Sequence, residues 1–181
     1  MTARPINRPT WVEPTHRALI DGGVSIVGTV PDGGLRYLLH DLDGDDRVTL
    51  VRLTTEEEGV ALAAGAWLGG ARAALLMQSS GVGNCINMLS VLQTCAIPAL
   101  LVVTMRGQNG EANPWQLPMG SAAGAALELM GVDVRPVTEA EDVAPAVAGA
   151  IGRSFERGCR ASAVLIAQSI VGVKTFTEDQ P

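Results

Sequence analysis

Six short and almost uninterrupted apolar runs punctuate the chain: 24–28, 48–52, 73–78, 99–104, 133–137 and 163–168. Each has the length of a strand. Continuous rather than alternating hydrophobicity is what a strand covered on both faces requires. Helical patterns fill the intervals, at 14–20, 35–42, 54–68, about 85–94, 119–130 and 139–157, and glycine pairs at 22–23 and 69–70 end two of them. This alternation predicts an α/β fold, a doubly wound parallel sheet of about six strands with helices on both faces. It predicts one domain over 13–172, flanked by a flexible N-terminal arm (1–12, with two prolines) and a polar tail (173–181). Pro136 cannot donate to a ladder, so the fifth strand belongs near an edge.

In an open parallel sheet, ligands bind beyond the carboxyl ends of the strands. Four polar or glycine-rich segments fall there: Thr29 to Gly34, Thr54 to Glu58, Ser79 to Asn84 and Met105 to Met119. They are expected to converge on one rim, with Ser79 to Asn84 forming a tight turn ahead of a helix from about Cys85. The second segment is the most unusual. Glu56, Glu57 and Glu58 open a helix that is otherwise apolar on every side, a pattern of buried helices. Two roles compete for these carboxylates. Thr54 with Glu57, or Thr55 with Glu58, has capping-box spacing, and acids suit the positive end of the helix dipole. The other role is a buried acid with a proton to move. Capping employs one or two glutamates and does not need Glu56.

Composition narrows the function. Of 181 residues, 47% are hydrophobic and 18% charged, as in a globular chain, and a net charge of −6 argues against nucleic-acid binding. Aromatics are only 3%, so the core is built from Val, Leu, Ile and Ala, which suits close helix-on-sheet layers. No apolar run approaches a membrane span and the N-terminus lacks a signal-peptide core, so the expected compartment is the cytoplasm. Cys85, Cys95 and Cys159 lack metal-ligand spacing and read as buried free thiols. The two histidines, His16 and His40, are too few for a multi-histidine metal site and lie far from Ser79 and Ser80, which also lack the Gly-x-Ser-x-Gly elbow. The acidic stretch Asp41 to Asp46 fails as a calcium loop: Asp46 and Arg52 stand where glycine and glutamate belong. Gly81-Val82-Gly83 fails as a dinucleotide fingerprint because Ile86 replaces the third glycine. No lysine precedes Lys174, which excludes a phosphate loop.

Three stretches together carry a resemblance: Glu56 through Gly65, Met77-Gln78-Ser79-Ser80-Gly81-Val82-Gly83-Asn84, and Thr104-Met105-Arg106-Gly107. In order and spacing they are similar to the pyrimidine-binding domain of thiamine-diphosphate-dependent decarboxylases, above all the alpha subunit of sulfopyruvate decarboxylase and the matching part of phosphonopyruvate decarboxylase. The similarity covers roughly 14–172. It implies that Glu56, counted back from Gly65, is the family glutamate that hydrogen-bonds the aminopyrimidine ring and promotes proton removal from the thiazolium carbon; a one-residue slip would move that role to Glu57. The cofactor then takes up the electrons released as carbon dioxide leaves a 2-oxo acid. It further implies that Val30, Pro31 and Asp32 flank the pyrimidine through backbone contacts, and that Gly81, Val82, Gly83 and Asn84 form a second contact segment. Gln116 falls where some relatives carry a histidine facing the substrate. Arg106 either pairs with an anionic 2-oxo acid or salt-bridges within its loop.

The same family binds diphosphate and Mg2+ through Gly-Asp-Gly and a later Asn on a second domain. This chain has neither, and Asp43-Gly44-Asp45 has the order reversed. The resemblance therefore implies no metal ligands here and a beta-type subunit carrying the other half-site, in a hetero-oligomer. Carboligation of 2-oxo acids on the same half-site, or a non-catalytic subunit that stabilises a partner, are the alternatives. Fold alone does not choose among them.

Overall fold

A computed structural model describes residues 8–158 and 160–172. The tail 173–181, Cys159 and the first seven residues of the arm lie outside the described residues. Helices and strands alternate throughout: α1 (Val12–Asp21), β1 (Val24–Thr29), α2 (Arg36–Asp43), β2 (Thr49–Arg52), α3 (Glu56–Leu68), β3 (Arg72–Gln78), α4 (Ser79–Thr94), β4 (Ala99–Thr104), α5 (Leu117–Leu129), β5 (Asp133–Val137), α6 (Val143–Ile151), β6 (Ala161–Ile166) and α7 (Gln168–Val171). The six strands form one all-parallel sheet in the order β2-β1-β3-β4-β6-β5. β5 is an edge, as Pro136 requires. Strand order reverses twice, between β1 and β3 and between β4 and β6, and each reversal opens a crevice at the carboxyl ends.

Period-two alternation splits the buried strand residues between two cores. Ala73, Leu75 and Met77 of β3, Leu101 and Val103 of β4 and Ala163 and Leu165 of β6 pack with α3, α4 and α5. Their neighbours Ala74, Leu76, Leu100, Val102, Val164 and Ile166 pack with α1, α2 and α6. Both faces of the central strands are thereby dry, which accounts for the continuous apolar runs. Among the described residues no helix is long and apolar enough to cross a membrane.

Several boundaries differ from expectation for local reasons. The arm ends early, because Trp11 is only 2% exposed and packs with Val12 into the second core. The stretch from Ser79 to Asn84 is not a turn: α4 begins at Ser79, directly after an extended Gln78, and its small residues are the first turns of the helix. α5 begins at Leu117 behind a 3-10 turn at Pro114–Gln116. The last helical pattern divides into a 3-10 turn (Ala140–Asp142), α6 and a π-helical turn (Gly152–Gly158). Pro145 falls in the first turn of α6, where no amide donor is needed. The π turn points Ser154 inward, and its hydroxyl donates to the Ala99 carbonyl at 3.2 Å. β6 runs Ala161–Ile166, leaving Gln168 to open α7. Cys85 is buried and free, but Cys95 caps α4 and is exposed. Burial, with the Glu56 and Glu57 charges adding to it, pushes the Cys85 thiol up to about 12. Alkylation of the folded chain at pH 8, followed by peptide mass spectrometry, should therefore label Cys95 and spare Cys85.

Candidate active site

The start of α3 sorts the three glutamates by environment. Thr55 occupies the N-cap position in extended conformation, without a side-chain cap bond. Capping runs one residue out of the expected register: Glu58 reaches back to accept the Thr54 N–H at 2.9 Å and the Thr54 hydroxyl at 2.7 Å. These bonds hold the Glu58 carboxyl below its ordinary value. Glu57 is exposed. Glu56 alone turns inward, with 8% of its surface exposed. One oxygen, Oε2, accepts a bond from Asn84 Nδ2 at 2.7 Å. The other, Oε1, takes no hydrogen bond from the protein among the described residues.

Glycines make this placement possible. A Cβ on Gly59 would strike the Leu75 side chain, so the glycine lets α3 lie close across β3. A Cβ on Gly81 would strike the Glu56 carboxyl group itself. The first turn of α4 is thus a shelf on which the Glu56 side chain lies. Gly81→Ala should push the Glu56 carboxyl off that shelf, and a crystal structure of the variant should show the Asn84–Glu56 bond lost.

At the β1/β3 crevice a second cluster joins three neighbouring strand ends. Asp32 Oδ1 accepts from Gln78 Nε2 at 2.8 Å. Its Oδ2 accepts the Gly34 N–H at 2.9 Å and the Thr104 hydroxyl at 2.9 Å. Gln78 Oε1 in turn accepts the Ser80 hydroxyl at 2.7 Å and Gln116 Nε2 at 2.8 Å. Gln116 is 3% exposed, and its Oε1 has no hydrogen-bond partner among the described residues.

The β4/β6 crevice holds a different cluster. The Arg106 guanidinium grips Glu111 through two bonds, Nε to Oε2 at 2.7 Å and Nη2 to Oε1 at 2.6 Å. Glu111 also accepts the Gly107 and Asn113 amides and Gln168 Nε2. The Arg106 bond, with these amides adding to it, holds the Glu111 carboxyl far below the usual carboxylate range. The same bond holds Arg106 above its ordinary value. Gly107, at φ +70, and Gly120 let the loop after β4 press against the start of α5, where either Cβ would meet backbone.

The four rim segments do converge. Glu56 and Asn84 meet, and so do Asp32, Gln78, Thr104 and Gln116. Val82 is different: the whole residue is buried, with its side chain in the core beneath α4, so neither side chain nor backbone is open at the surface. Gly83 and Asn84 are exposed, as is Pro31, whereas Val30 is half-buried. Of the two readings for Arg106, the salt bridge within its loop is the one formed; its fork is filled by Glu111, although it lines a cleft of 280 Å³ together with Asp32 and Arg36. Sequence reasoning did not assign Gln78, Thr104, Glu111 or Gln168. Gln78 and Thr104 are the last residues of strands, but only the strand order brings both beside Asp32.

No family model matches the chain. Over 121 residues it is 38% identical to the sulfopyruvate decarboxylase subunit alpha of Methanococcus maripaludis, which covers 66% of this chain and 72% of that protein. The subunit alpha of Methanothermobacter thermautotrophicus is 38% identical over 124 residues, 68% of this chain and 75% of that one. The phosphonopyruvate decarboxylase of Streptomyces viridochromogenes is 32% identical over 161 residues, 88% of this chain but only 41% of that protein. Among solved structures, a chain of 2-oxoglutarate:ferredoxin oxidoreductase from Magnetococcus marinus superposes with a TM-score of 0.68 at 17% identity, over 89% of this chain and 29% of that one. That last likeness is one of fold.

Proposed function

We propose, because this chain belongs to the family of sulfopyruvate decarboxylase alpha subunits, that it is the alpha-type subunit of a thiamine-diphosphate-dependent 2-oxo acid decarboxylase and that Glu56 is its catalytic acid. The observation that carries the assignment is the Glu56 carboxyl: inward, seated over Gly81, with Oε2 held by Asn84 and Oε1 left without a protein donor. Those features fit an aminopyrimidine. Oε1 can share a proton with a ring nitrogen, while the Asn84 bond and the glycine shelf fix the carboxyl in one rotamer. Bound thiamine diphosphate would supply the electron sink that decarboxylation of a 2-oxo acid requires. The chain's own part is to hold the acidic proton in place and to exclude water with the apolar body of α3.

Cofactor contacts by the backbones of Val30, Pro31, Asp32, Gly81, Gly83 and Asn84 belong to the same proposal. The Asp32 side chain is engaged inside the protein, which supports backbone contact there. A sulfonate- or phosphonate-bearing 2-oxo acid is the proposed substrate, from the named activities of the relatives. We assign diphosphate and Mg2+ to a beta-type partner, since the Gly-Asp-Gly and Asn that bind them in the family are missing here. A surface feature supports a partner on the α3/α4/α5 layer. The large exposed hydrophobics among the described residues are Leu68, Val91, Trp115, Leu117 and Leu129, and all lie on those helices or the turn leading into α5. A partner seated on that layer would bury them. Unpaired Cys85 and Cys95 suit a cytoplasmic enzyme.

Reconstitution tests this reading. The chain alone should release no carbon dioxide from sulfopyruvate or 3-phosphonopyruvate. Mixed with a subunit that carries Gly-Asp-Gly and the following Asn, it should do so in a reaction that needs thiamine diphosphate and Mg2+. Product analysis separates decarboxylation from carboligation. Full activity from the isolated chain would refute the half-site.

A further inference from the structure

A cleft of 280 Å³ opens between the start of α2, the loop after β4 and the end of α7, and two guanidinium groups line it, those of Arg36 and Arg106. Arg106 is fixed on one side only. Its Nε and Nη2 donate to Glu111, whose side chain is fully buried and is itself held by the Gly107 and Asn113 amides and by Gln168 Nε2. Nη1 and the second N–H of Nη2 donate to no acceptor among the described residues. Arg36, the first residue of α2, is held by stacking: its guanidinium carbon lies 4.5 Å from the centre of the Tyr37 ring, and its Nη2 donates to the Tyr37 hydroxyl at 3.1 Å. Arg36 forms no ion pair among the described residues. Among those residues, Asp32 is the one carboxylate that lines the cleft. Both of its oxygens are already engaged, one by Gln78 and the other by Gly34 and Thr104.

We propose that this cleft binds one small oxyanion, the carboxylate, sulfonate or phosphonate group of a small molecule, between the uncommitted N–H groups of Arg106 and the guanidinium of Arg36. The inference uses the cleft and its two arginines alone and does not depend on the decarboxylase reading. Two like charges that share a small cleft repel each other, and an anion between them removes that repulsion. Guanidinium N–H groups match the oxygens of such anions in geometry as well as charge. The start of α2 adds the positive end of a helix dipole, since Gly33 and Gly34 line the cleft beside Arg36. On this view Glu111 does not compete for the ligand. It occupies one edge of Arg106 and holds the guanidinium still, so that a ligand at the remaining N–H groups does not have to order a long side chain. Arg36 is exposed, so salt screens its share of the attraction.

Titration of the full chain with acetate, methanesulfonate and methylphosphonate, each at constant ionic strength set with chloride, tests the site. In NMR the side-chain Nε–H signals of Arg36 and Arg106 should shift together and saturate with one midpoint for at least one of the three anions. The order of the three midpoints identifies the head group. Arg36→Gln is the decisive variant, because removing Arg106 would also unmake its buried pair with Glu111. At an exposed position it should leave the melting temperature unchanged and weaken binding by about 10-fold or more, as for the loss of hydrogen bonds from a charged donor. Arg17→Gln, on α1 and outside the cleft, should bind as the wild type does. Shifts that stay linear for all three anions, or wild-type affinity in Arg36→Gln, would overturn the site. An equal loss in Arg17→Gln would reduce the effect to overall charge and overturn it as well. The titration needs neither cofactor, partner nor turnover, so its failure and the failure of the decarboxylase reading are told apart.

Discussion

Glu56→Gln should lower the decarboxylation rate of the reconstituted complex by about 10²–10⁴-fold, the range for removing a positioned acid–base group. The substitution keeps shape and volume over Gly81, and the glutamine carbonyl can still receive Asn84, so the chain should fold and bind its partner as before. Only the exchangeable proton is lost. The neighbouring glutamates are the controls. Glu57→Gln, at an exposed position, should leave the rate within about twofold. Glu58→Gln weakens the bonds to Thr54 and should appear in stability rather than turnover. Rate, melting temperature and partner binding, measured for all three variants, settle the register. A large rate loss in Glu57→Gln with none in Glu56→Gln would move the acid by one residue.

Removal of one member of the Arg106–Glu111 pair should produce the largest loss of stability at any single rim position. Breaking a buried ion pair leaves an uncompensated charge and costs about 3–5 kcal/mol. Arg106 borders a cleft, so the low end, about 3 kcal/mol, is expected for Glu111→Ala. The pair also sets a pH dependence. The folded-state Glu111 carboxyl lies far below its ordinary value of 4.5. Its contribution is therefore fully present above about pH 4.5 and is lost as the pH falls toward the depressed folded value. Glu111→Gln should be less stable than the wild type at pH 7 and should show a shallower loss between pH 5 and pH 2. Urea unfolding across that range measures both effects. An unchanged acid limb would mean that the pair does not hold in solution.

Much of the fold was legible because the central strands are dry on both faces. Val, Leu and Ala runs such as 99–104 leave little choice of structure. Pro136 marked its edge for an equally local reason. Ser79 to Asn84 misled, since serines and glycines in sequence look like a turn. They are the first turns of α4, and the glycine at 81 serves not a turn but another segment, the Glu56 side chain, 25 positions away in sequence. Long-range demands of this kind leave no local pattern. The same holds at the rim. Glu56 could be picked out by what capping did not need, but its partner Asn84 and the ring of Asp32, Gln78 and Thr104 depend on which strands lie side by side. Arg106 showed its chemistry in the sequence without showing its partner; Glu111, five residues on, is brought back by a loop whose path depends on Gly107.

Asp32 joins the ends of three strands that are consecutive in space and distant in sequence, with 72 positions separating it from Thr104. Such a clasp bears on how the rim opens. The carboxyl ends of β1, β3 and β4 cannot fray one at a time while the carboxylate holds all three. In hydrogen exchange the Gly34 amide should therefore report the same opening free energy as the last amides of β3 and β4, and all three should accelerate together in Asp32→Ala. The crevice that faces the chemistry then behaves as one cooperative unit, closed by a single side chain.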